Sequence, residues 1–221
     1  MADQPQQSDE QVIAALEALE RLREGNHRFV SGVRSLDTLM SQTRRSELLA
    51  SQWPFAVVLG CSDSRVPVEM IFDHGLGDLF VIRVAGNICA PSQVGSVEFA
   101  AERYGTRLVV VLGHTRCGAV QATLEELQRP TESQSRNLRS IVDRIRPSVE
   151  GLLETELTRD KDALALQAIR ANVRVAANHL RHGSDVLEQL IQKDGLLIVG
   201  AEYSLETGEV DFFDGLPGSG E

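Results

Sequence analysis

Four short apolar runs constrain the fold of this chain more than any other feature of its sequence. They are Phe55–Gly60, Leu79–Arg83, Leu108–Gly113 and Leu196–Gly200. Because their apolar residues do not alternate with polar ones, each run predicts a strand buried on both faces, as in a parallel sheet. Helical patterns between the runs give the strand and helix order of an α/β sandwich. These helical patterns cover Val94–Tyr104, Ala119–Leu127, Leu138–Leu153 and Leu164–His182.

The predicted fold is a central, mostly parallel four-stranded sheet flanked by helices. Glu209–Phe213 is expected to add a short antiparallel edge strand. The length of 221 residues fits a single domain over residues 1–221, because a chain of this size can bury a sizeable core. Residues 1–9 and 215–221 are polar or glycine-rich and are expected to be flexible.

The N-terminal region predicts two helices. One begins near Gln11, with Ser8 as its N-cap, and ends near Gly25 or continues to Gly32. Its apolar stripe is wide, so we expect it to pack on a partner subunit. A second, more polar helix is predicted over Leu39–Ser51.

The charge balance argues against several classes of partner. Lys and Arg total 22 and Asp and Glu total 32, a net charge of −10. An acidic chain is poorly suited to nucleic acid or to anionic membrane surfaces, which are bound through Lys and Arg. No stretch approaches the ~20 apolar residues of a membrane span. The N-terminus carries acids and no cation before its first apolar run, unlike a secretory signal.

Three cysteines, an odd number, argue against a disulfide scaffold and favour a reducing, cytoplasmic location. Two of them follow predicted strands. Cys61 comes directly after the first run, and Cys117 lies three residues beyond His114, which follows the third run. Because parallel strands end at the same edge of a sheet, Cys61, His114 and Cys117 are expected to converge. Zinc favours thiolate and imidazole ligands, and a fourth position left open is typical of a catalytic site.

Asp63 and Arg65 lie in the turn that follows Cys61 and are two residues apart. A carboxylate beside a guanidinium stays ionised, with a lowered pKa. Asp63 could orient a zinc-bound water, or it could bind zinc itself in a closed resting state. Pairing with Arg65 is expected to keep the Asp63 carboxylate off the metal.

The segments CSDSRVP, from Cys61, and HTRCGA, from His114, together resemble the β-class carbonic anhydrases. The resemblance runs from about Arg23 to Phe213 and includes RVAGN, from Arg83. It implies a dimer as the minimal unit, often doubled, so a homodimer or homotetramer is expected. The residue roles that it implies are zinc on Cys61, His114 and Cys117, Asp63–Arg65 as a gating pair, and Gln52 as a substrate contact.

The resemblance implies reversible hydration of carbon dioxide to bicarbonate and a proton. Zinc lowers the pKa of bound water toward ~7, and the resulting hydroxide attacks carbon dioxide. Gln52 and backbone amides are expected to hold the substrate oxygens. No sequence feature identifies the group that passes the proton to buffer, and His74 is a candidate by residue type alone.

One position departs from some bacterial members of the family. These members have a Trp three residues before the first zinc cysteine, where it forms part of an inhibitory bicarbonate pocket. This chain has Val58 there, although Arg83 matches an arginine of that pocket. Inactivation by bicarbonate through that pocket is therefore not expected.

Two alternatives remain open at this stage. A non-catalytic zinc protein would use Asp63 as a permanent fourth ligand that stabilises an oligomer. The same site could instead hydrolyse carbonyl sulfide or carbon disulfide. A zinc deaminase is disfavoured because the chain has neither the H-x-E nor the C-x-x-C motif of that class. A dinucleotide-binding enzyme is disfavoured because the first predicted strand is not followed by G-x-G-x-x-G.

Overall fold

The computed structural model describes residues 14–33, 42–129 and 135–218. In this part of the chain five strands form one sheet, in the order β2-β1-β3-β4-β5. Strands β1 to β4 are parallel and β5 is antiparallel to β4. The strands are β1 Ala56–Gly60, β2 Leu79–Arg83, β3 Leu108–His114, β4 Leu197–Tyr203 and β5 Val210–Asp214. The predicted α/β fold, with four parallel strands and an antiparallel edge strand, is confirmed.

The central strands are buried along their whole length. Every residue of β1 and of β3 is buried, as their continuous apolar runs predicted. The largest difference from the predicted bounds is in β4, which continues three residues past Gly200. These residues pair with the end of β3, where Glu202 lies opposite Gly113 and Tyr203 opposite His114. The apolar pattern used for the prediction ends at Gly200. Strand β4 nevertheless continues to Tyr203, because it pairs with β3 as far as His114.

Helices cover both faces of the sheet. They are α1 Ala15–Ser31, α2 Gln42–Glu47, α3 Val68–Ile71, α4 Pro91–Arg103, α5 Gly118–Gln128, α6 Arg136–Val149, α7 Lys161–His182 and α8 Asp185–Lys193. Three short 3-10 turns lie at Ala85–Asn87, Glu150–Glu154 and Glu156–Arg159. The helix predicted to end at Leu153 therefore ends earlier, and the chain continues into a 3-10 turn.

Two further differences concern short helices. The helix predicted over Leu39–Ser51 is only α2 within the described residues. Helix α8 was not predicted, although Ser184 is a recognisable N-cap whose Oγ accepts a hydrogen bond from the Leu187 amide.

Alternate residues of the strands supply two separate cores. One face carries Val58 and Val110 and packs against α1 and α3. The opposite face carries Val57 and Val109 and packs against α4, α7 and α8. A third apolar cluster lies where α5, α6 and α7 meet the carboxyl ends of the strands, and it includes Cys61 and Cys117.

Helix α1 packs on its own chain. Leu19 and Leu22 are buried in the first core, and Asn26 donates to the Ile71 and Gly208 carbonyls. The helix passes Gly25 and ends at Ser31, where Gly32 adopts a left-handed conformation at φ 72°. Packing of α1 on a partner subunit stays a prediction, and so does the single domain over residues 1–221.

Several sequence predictions lie outside the described residues. They are the Ser8 N-cap, the helix start near Gln11, residues 39–41 of the second predicted helix, and the flexibility of residues 1–9 and 219–221. Among the helices that the structure describes, none has the length and apolar content needed to cross a bilayer.

Candidate metal centre

Cys61, His114 and Cys117 meet at the carboxyl ends of β1 and β3. Cys61 follows β1, His114 is the last residue of β3, and Cys117 is the N-cap residue of α5. All three are buried, and their ligand atoms lie within 4.8 Å of one another. The structure thus brings together the three side chains that the motifs singled out. The remaining cysteine, Cys89, lies apart from this cluster and donates from Sγ to the Ala176 carbonyl at 3.3 Å.

The imidazole of His114 is held in one orientation. Its Nδ1 lies 2.9 Å from the Thr115 carbonyl oxygen, and because a carbonyl can only accept, Nδ1 carries the proton. The other ring nitrogen, Nε2, is buried and has no hydrogen-bond partner among the described residues. A buried nitrogen with a free lone pair is costly unless it binds something. The ring is thereby prepared to coordinate a metal through Nε2.

Thr115, whose carbonyl accepts this hydrogen bond, is itself anchored to the neighbouring strand β4 and to the turn that follows it. Its amide donates to the Tyr203 carbonyl at 3.0 Å. Its Oγ1 accepts from the Leu205 amide at 2.9 Å. The turn between β4 and β5 therefore fixes the peptide that orients His114.

The two thiols of the cluster share a proton. The pKa of Cys61 is lowered to about 4, first because the Cys117 thiol donates to it, and further because the Gly86 amide donates to it, although burial opposes both. The pKa of Cys117 is raised, because the Cys61 thiolate holds its proton and because it is buried. A metal cation in place of that proton would stabilise both sulfurs as thiolates.

Gly86 brings a backbone amide to the cluster. Its N–H donates to Cys61 Sγ at 3.4 Å. The residue adopts φ 70°, and a Cβ there would lie 2.8 Å from Ile145 Cδ1 and 3.1 Å from Ala119 Cβ. Both the backbone conformation and the crowding require glycine.

Asp63 lies beside the cluster and is bound by Arg65 through two parallel hydrogen bonds. Arg65 Nε donates to Oδ1 at 2.9 Å and Nη2 to Oδ2 at 2.8 Å. These bonds hold the pKa of the Asp63 carboxyl well below its usual range, although partial burial opposes them. Asp63 Oδ2 lies 3.9 Å from His114 Nε2. An ionised acceptor is thus held next to the atom that would bind a metal.

Arg83 and Arg116 complete the surroundings of this loop. Arg83 donates from Nε to the Cys61 carbonyl at 3.1 Å and from Nη2 to the Asp63 carbonyl at 2.7 Å. The Arg65 guanidinium also reaches the carbonyl of Arg116, a residue in the left-handed region at φ 57°. Val58 is fully buried in the first core. Arg83 therefore holds the backbone of the turn from Cys61 to Asp63. The predicted absence of inactivation by bicarbonate stays a prediction.

Two residues considered from the sequence are not brought to the cluster within one chain. Gln52 precedes β1, whereas Cys61 follows it, and Gln52 Nε2 donates to the hydroxyl of Tyr104 at 3.0 Å. His74 is buried, with its ring 4.8 Å from that of Phe55, which also precedes β1. Both lie near the amino ends of the strands. The geometry does not support His74 as the group that passes a proton from the site.

The donor set fits a metal of the zinc type. Two thiol sulfurs and one imidazole nitrogen are the preferred ligands of zinc, and three protein ligands leave one position for a small molecule. Sequence reasoning missed the groups that surround the ligands, namely Gly86, Thr115 and the role of Arg83. The glycine in the turn after β2 was a usable signal, but the contacts of Thr115 depend on residues about ninety positions further along the chain.

Comparison with known proteins places the chain in a family. A profile of the family described as carbonic anhydrase matches residues 56–210. The carbonic anhydrase of Mycolicibacterium smegmatis is 39% identical over 204 residues, which cover 92% of this chain and 96% of the relative. Carbonic anhydrase 2 of Mycobacterium tuberculosis is 38% identical over 204 residues, with 92% and 95% covered. The solved structure of the β-carbonic anhydrase CcaA superposes with a TM-score of 0.70 at 26% identity and covers 90% of this chain and 93% of that one. With this sequence identity, this fold and a Cys/His/Cys cluster at the strand ends, the chain belongs to the β-class carbonic anhydrases.

Proposed function

We propose that this protein catalyses the reversible hydration of carbon dioxide to bicarbonate and a proton, with zinc held by Cys61, His114 and Cys117. One observation carries the proposal. The unpartnered Nε2 of His114 lies among two thiols, with an ionised carboxylate 3.9 Å away. The relatives at 39% and 38% identity, which are named carbonic anhydrases, support the same activity.

A zinc ion bound there supplies Lewis acidity, which makes hydroxide available at a pH close to neutral. Cys61 and Cys117 each carry a negative charge when ionised and together offset a divalent cation. His114 stays neutral, because its only proton lies on Nδ1 and is held by the Thr115 carbonyl. Two thiolates donate more charge than imidazoles do, so we expect activity to rise at a higher pH than in a three-histidine site.

Asp63 acts on the attacking water. Its Oδ2 accepts a hydrogen bond from that water and orients the oxygen lone pair toward carbon dioxide. Arg65 keeps the carboxylate ionised, and both of its hydrogen bonds hold the Asp63 oxygens in place. Asp63 and Arg65 are thus the catalytic pair of the proposed mechanism.

Asp63 is also the residue that would close the site in a resting state by binding the metal directly. For this it must turn away from Arg65, which in this structure occupies both of its oxygens. The same arrangement argues against the non-catalytic alternative, in which Asp63 is a permanent fourth ligand. A structural ligand has no need of a guanidinium that competes for it.

Gln52 contacts substrate only from a second copy of the chain, because in its own chain it lies at the opposite end of β1 from Cys61. A homodimer, or a homotetramer built from two dimers, fits the proposal. Strand β2 forms one edge of the sheet in the described part of the chain, and the exposed ring of Phe99 lies 6.4 Å from that of Phe80 in this strand. The three cysteines are free thiols, which fits a reducing, cytoplasmic location.

Stopped-flow measurement of carbon dioxide hydration tests the proposal. Zinc-loaded and metal-free protein are compared at about pH 8.5, which lies above a pKa of ~7 for zinc-bound water. We expect rapid turnover in the zinc form alone, with a rate that falls toward neutral pH. Zinc-loaded protein that hydrates carbon dioxide no faster than buffer would overturn the proposal. The same protein would then be assayed with carbonyl sulfide and carbon disulfide, and inactivity on all three substrates would favour a non-catalytic zinc site.

The variant Asp63→Ala separates the catalytic role of Asp63 from a structural one. In the proposed mechanism the variant keeps its zinc and shows a slower rate with a changed pH profile. Complete loss of zinc from Asp63→Ala, measured by metal analysis, would show instead that Asp63 is a permanent ligand.

A further inference from the structure

The Gly86 amide that reaches Cys61 lies in an unusual turn. Gly86 has φ 70° and the next residue, Asn87, has φ 43°, so two successive residues occupy the left-handed region. Glycine and asparagine tolerate this region best, but both can also adopt other conformations, so the surroundings have to select this one. If Gly86 changed to a negative φ, its N–H would no longer point at the sulfur.

A buried polar side chain from a distant helix donates a hydrogen bond to this turn. Asn172 of α7 donates from Nδ2 to the Gly86 carbonyl at 2.8 Å. Asn172 is 3% exposed, and it is the one polar side chain among the buried residues of α7. Its neighbours on that face, Ile169 and Val173, are apolar.

An amide is a costly choice for such a position unless its hydrogen bond is needed. A buried polar side chain loses its hydration, and a leucine of similar volume would fill the same space at no such cost. An aspartate would bring a carboxylate oxygen against the Gly86 carbonyl. Position 172 therefore requires a hydrogen-bond donor. The acceptor is the carbonyl of Gly86, the same residue whose N–H donates to Cys61.

We infer that Asn172 is a positioning residue of the metal centre, which acts through Gly86 on the sulfur of Cys61. Its hydrogen bond holds Gly86 in the left-handed conformation, and the Gly86 N–H then stabilises the Cys61 thiolate as a ligand. The inference rests on the proposed metal site. It adds a residue that the two family motifs do not contain and that lies 86 positions from the turn it holds.

Two variants remove the donor and one control preserves it. Asn172→Asp keeps the size of the side chain, and Asn172→Ala removes the side chain without disturbing the helix backbone. Leu180→Ala is the control, because Leu180 is fully buried on the same helix in the core that lies away from the cluster. The control lowers stability by loss of packing and leaves the Gly86 contact intact.

The first readout is zinc affinity by competition with a chelator. We expect both Asn172 variants to bind zinc about tenfold more weakly than the wild type, in line with the loss of groups that support metal ligands, and Leu180→Ala to bind it equally well. The second readout is the thiolate-to-metal charge-transfer band of the cobalt(II) form. Loss of the N–H···S bond should move this band to lower energy in the Asn172 variants alone.

Equal zinc affinity and an unchanged cobalt band in both Asn172 variants would overturn the inference and leave Asn172 a packing residue. Wild-type protein provides a test that is independent of variant folding. In a 113Cd-loaded sample labelled with 15N-glycine, the Gly86 amide proton should show a scalar coupling to cadmium across the sulfur, and a spectrum without it would overturn the inference. A wild-type protein that took up neither zinc nor cobalt would instead refute the proposed metal site itself.

Discussion

The two ends of the parallel strands differ in how their polar groups are satisfied. At the amino ends, polar side chains that are buried or half-buried find partners within the chain. Gln52 donates to Tyr104, and Thr106 Oγ1 donates to the Pro54 carbonyl at 2.8 Å. At the carboxyl ends, the buried Nε2 of His114 has no partner in the described part of the chain.

This difference supports the placement of the proposed chemistry at the carboxyl ends of the strands. A buried polar atom without a partner costs about 1–3 kcal/mol of stability, and a bound group that pairs with it relieves this cost. The other such atom in the described part of the chain, Asn87 Nδ2, lies in the turn after β2, at the same end of the strands. The amino ends of the strands use hydrogen bonds to hold the sheet together. The carboxyl ends bring together the side chains of the proposed metal site.

The largest expected effect comes from removing the unpartnered nitrogen. We expect His114→Ala to lose zinc and to hydrate carbon dioxide at the rate of buffer, because a ligand is missing. His74→Ala is the matched control at the other end of the strands. It removes the ring that contacts Phe55 and should lower the free energy of unfolding by about 1–2 kcal/mol with zinc content and rate unchanged. Tight zinc binding by His114→Ala would contradict the assignment of this end as the metal centre.

A smaller effect is expected from Arg65→Ala. The variant should keep zinc and lose about a hundredfold in hydration rate, because Asp63 is no longer held ionised and in place. Arg44→Ala is the control, since Arg44 also pairs with a carboxylate, Asp78, but near the amino end of β2. A hydration rate in Arg65→Ala equal to that of Arg44→Ala would show that the Asp63–Arg65 pair is only structural.

The same pair predicts a pH dependence of stability. The folded pKa of Asp63 lies below its unfolded value of ~3.9. The pair therefore stabilises the fold above that value, and this contribution is lost as the pH falls toward the folded pKa. In urea unfolding of metal-free protein, the stability difference between wild type and Arg65→Ala should shrink below about pH 4. A difference that is constant from pH 7 to pH 3 would contradict the assigned shift.

A smaller effect on kcat/KM is expected from Gln52, which would extend the comparison of the two strand ends across a dimer. If Gln52 of one copy contacts substrate held by the other, Gln52→Ala should lower kcat/KM about tenfold with unchanged zinc content. Tyr104→Phe removes the hydroxyl that accepts from Gln52 within the chain and should leave kcat/KM close to that of the wild type. Equal losses in the two variants would indicate that Gln52 acts only by supporting the amino end of the sheet.

The smallest effect is expected at Arg116, at the carboxyl end of β3. Arg116→Gly relieves a left-handed conformation that costs about 1 kcal/mol. It also loses an exposed ion pair with Glu206 and loosens the unfolded chain. We expect a change of about 0.5 kcal/mol or less in the free energy of unfolding, and an unchanged hydration rate, because the Arg116 carbonyl that Arg65 contacts remains. A large loss of activity would show that the Arg116 side chain itself serves the site.

The sequence was sufficient for the sheet, since its parallel strands are continuous apolar runs that can be recognised locally. It also indicated that Cys61, His114 and Cys117 converge, because the order of strands and the turns that follow them determine which residues share an edge. Helix α8 could have been predicted from its N-cap, Ser184. The length of β4 could not, since its polar end is a strand only because β3 lies beside it.

The position of Gln52 and the role of Asn172 were beyond sequence reasoning for a different reason. Gln52 was identified only through the family resemblance, which gave it a role without showing that β1 separates it from Cys61. Asn172 lies in a helix whose pattern describes burial but not what the buried face touches. Contacts between residues far apart in the chain require the tertiary structure.

The anchoring of Thr115 by Tyr203 and Leu205 has a consequence for the order of events during synthesis. All three candidate ligands leave the ribosome once residue 117 has emerged, yet the residues that fix the His114 peptide come almost ninety positions later. Domains acquire their packing only when the chain that supplies it is present. The nascent protein therefore displays its candidate ligands well before it can orient them, and in the proposed metal site high-affinity binding must wait until the C-terminal strands have been added.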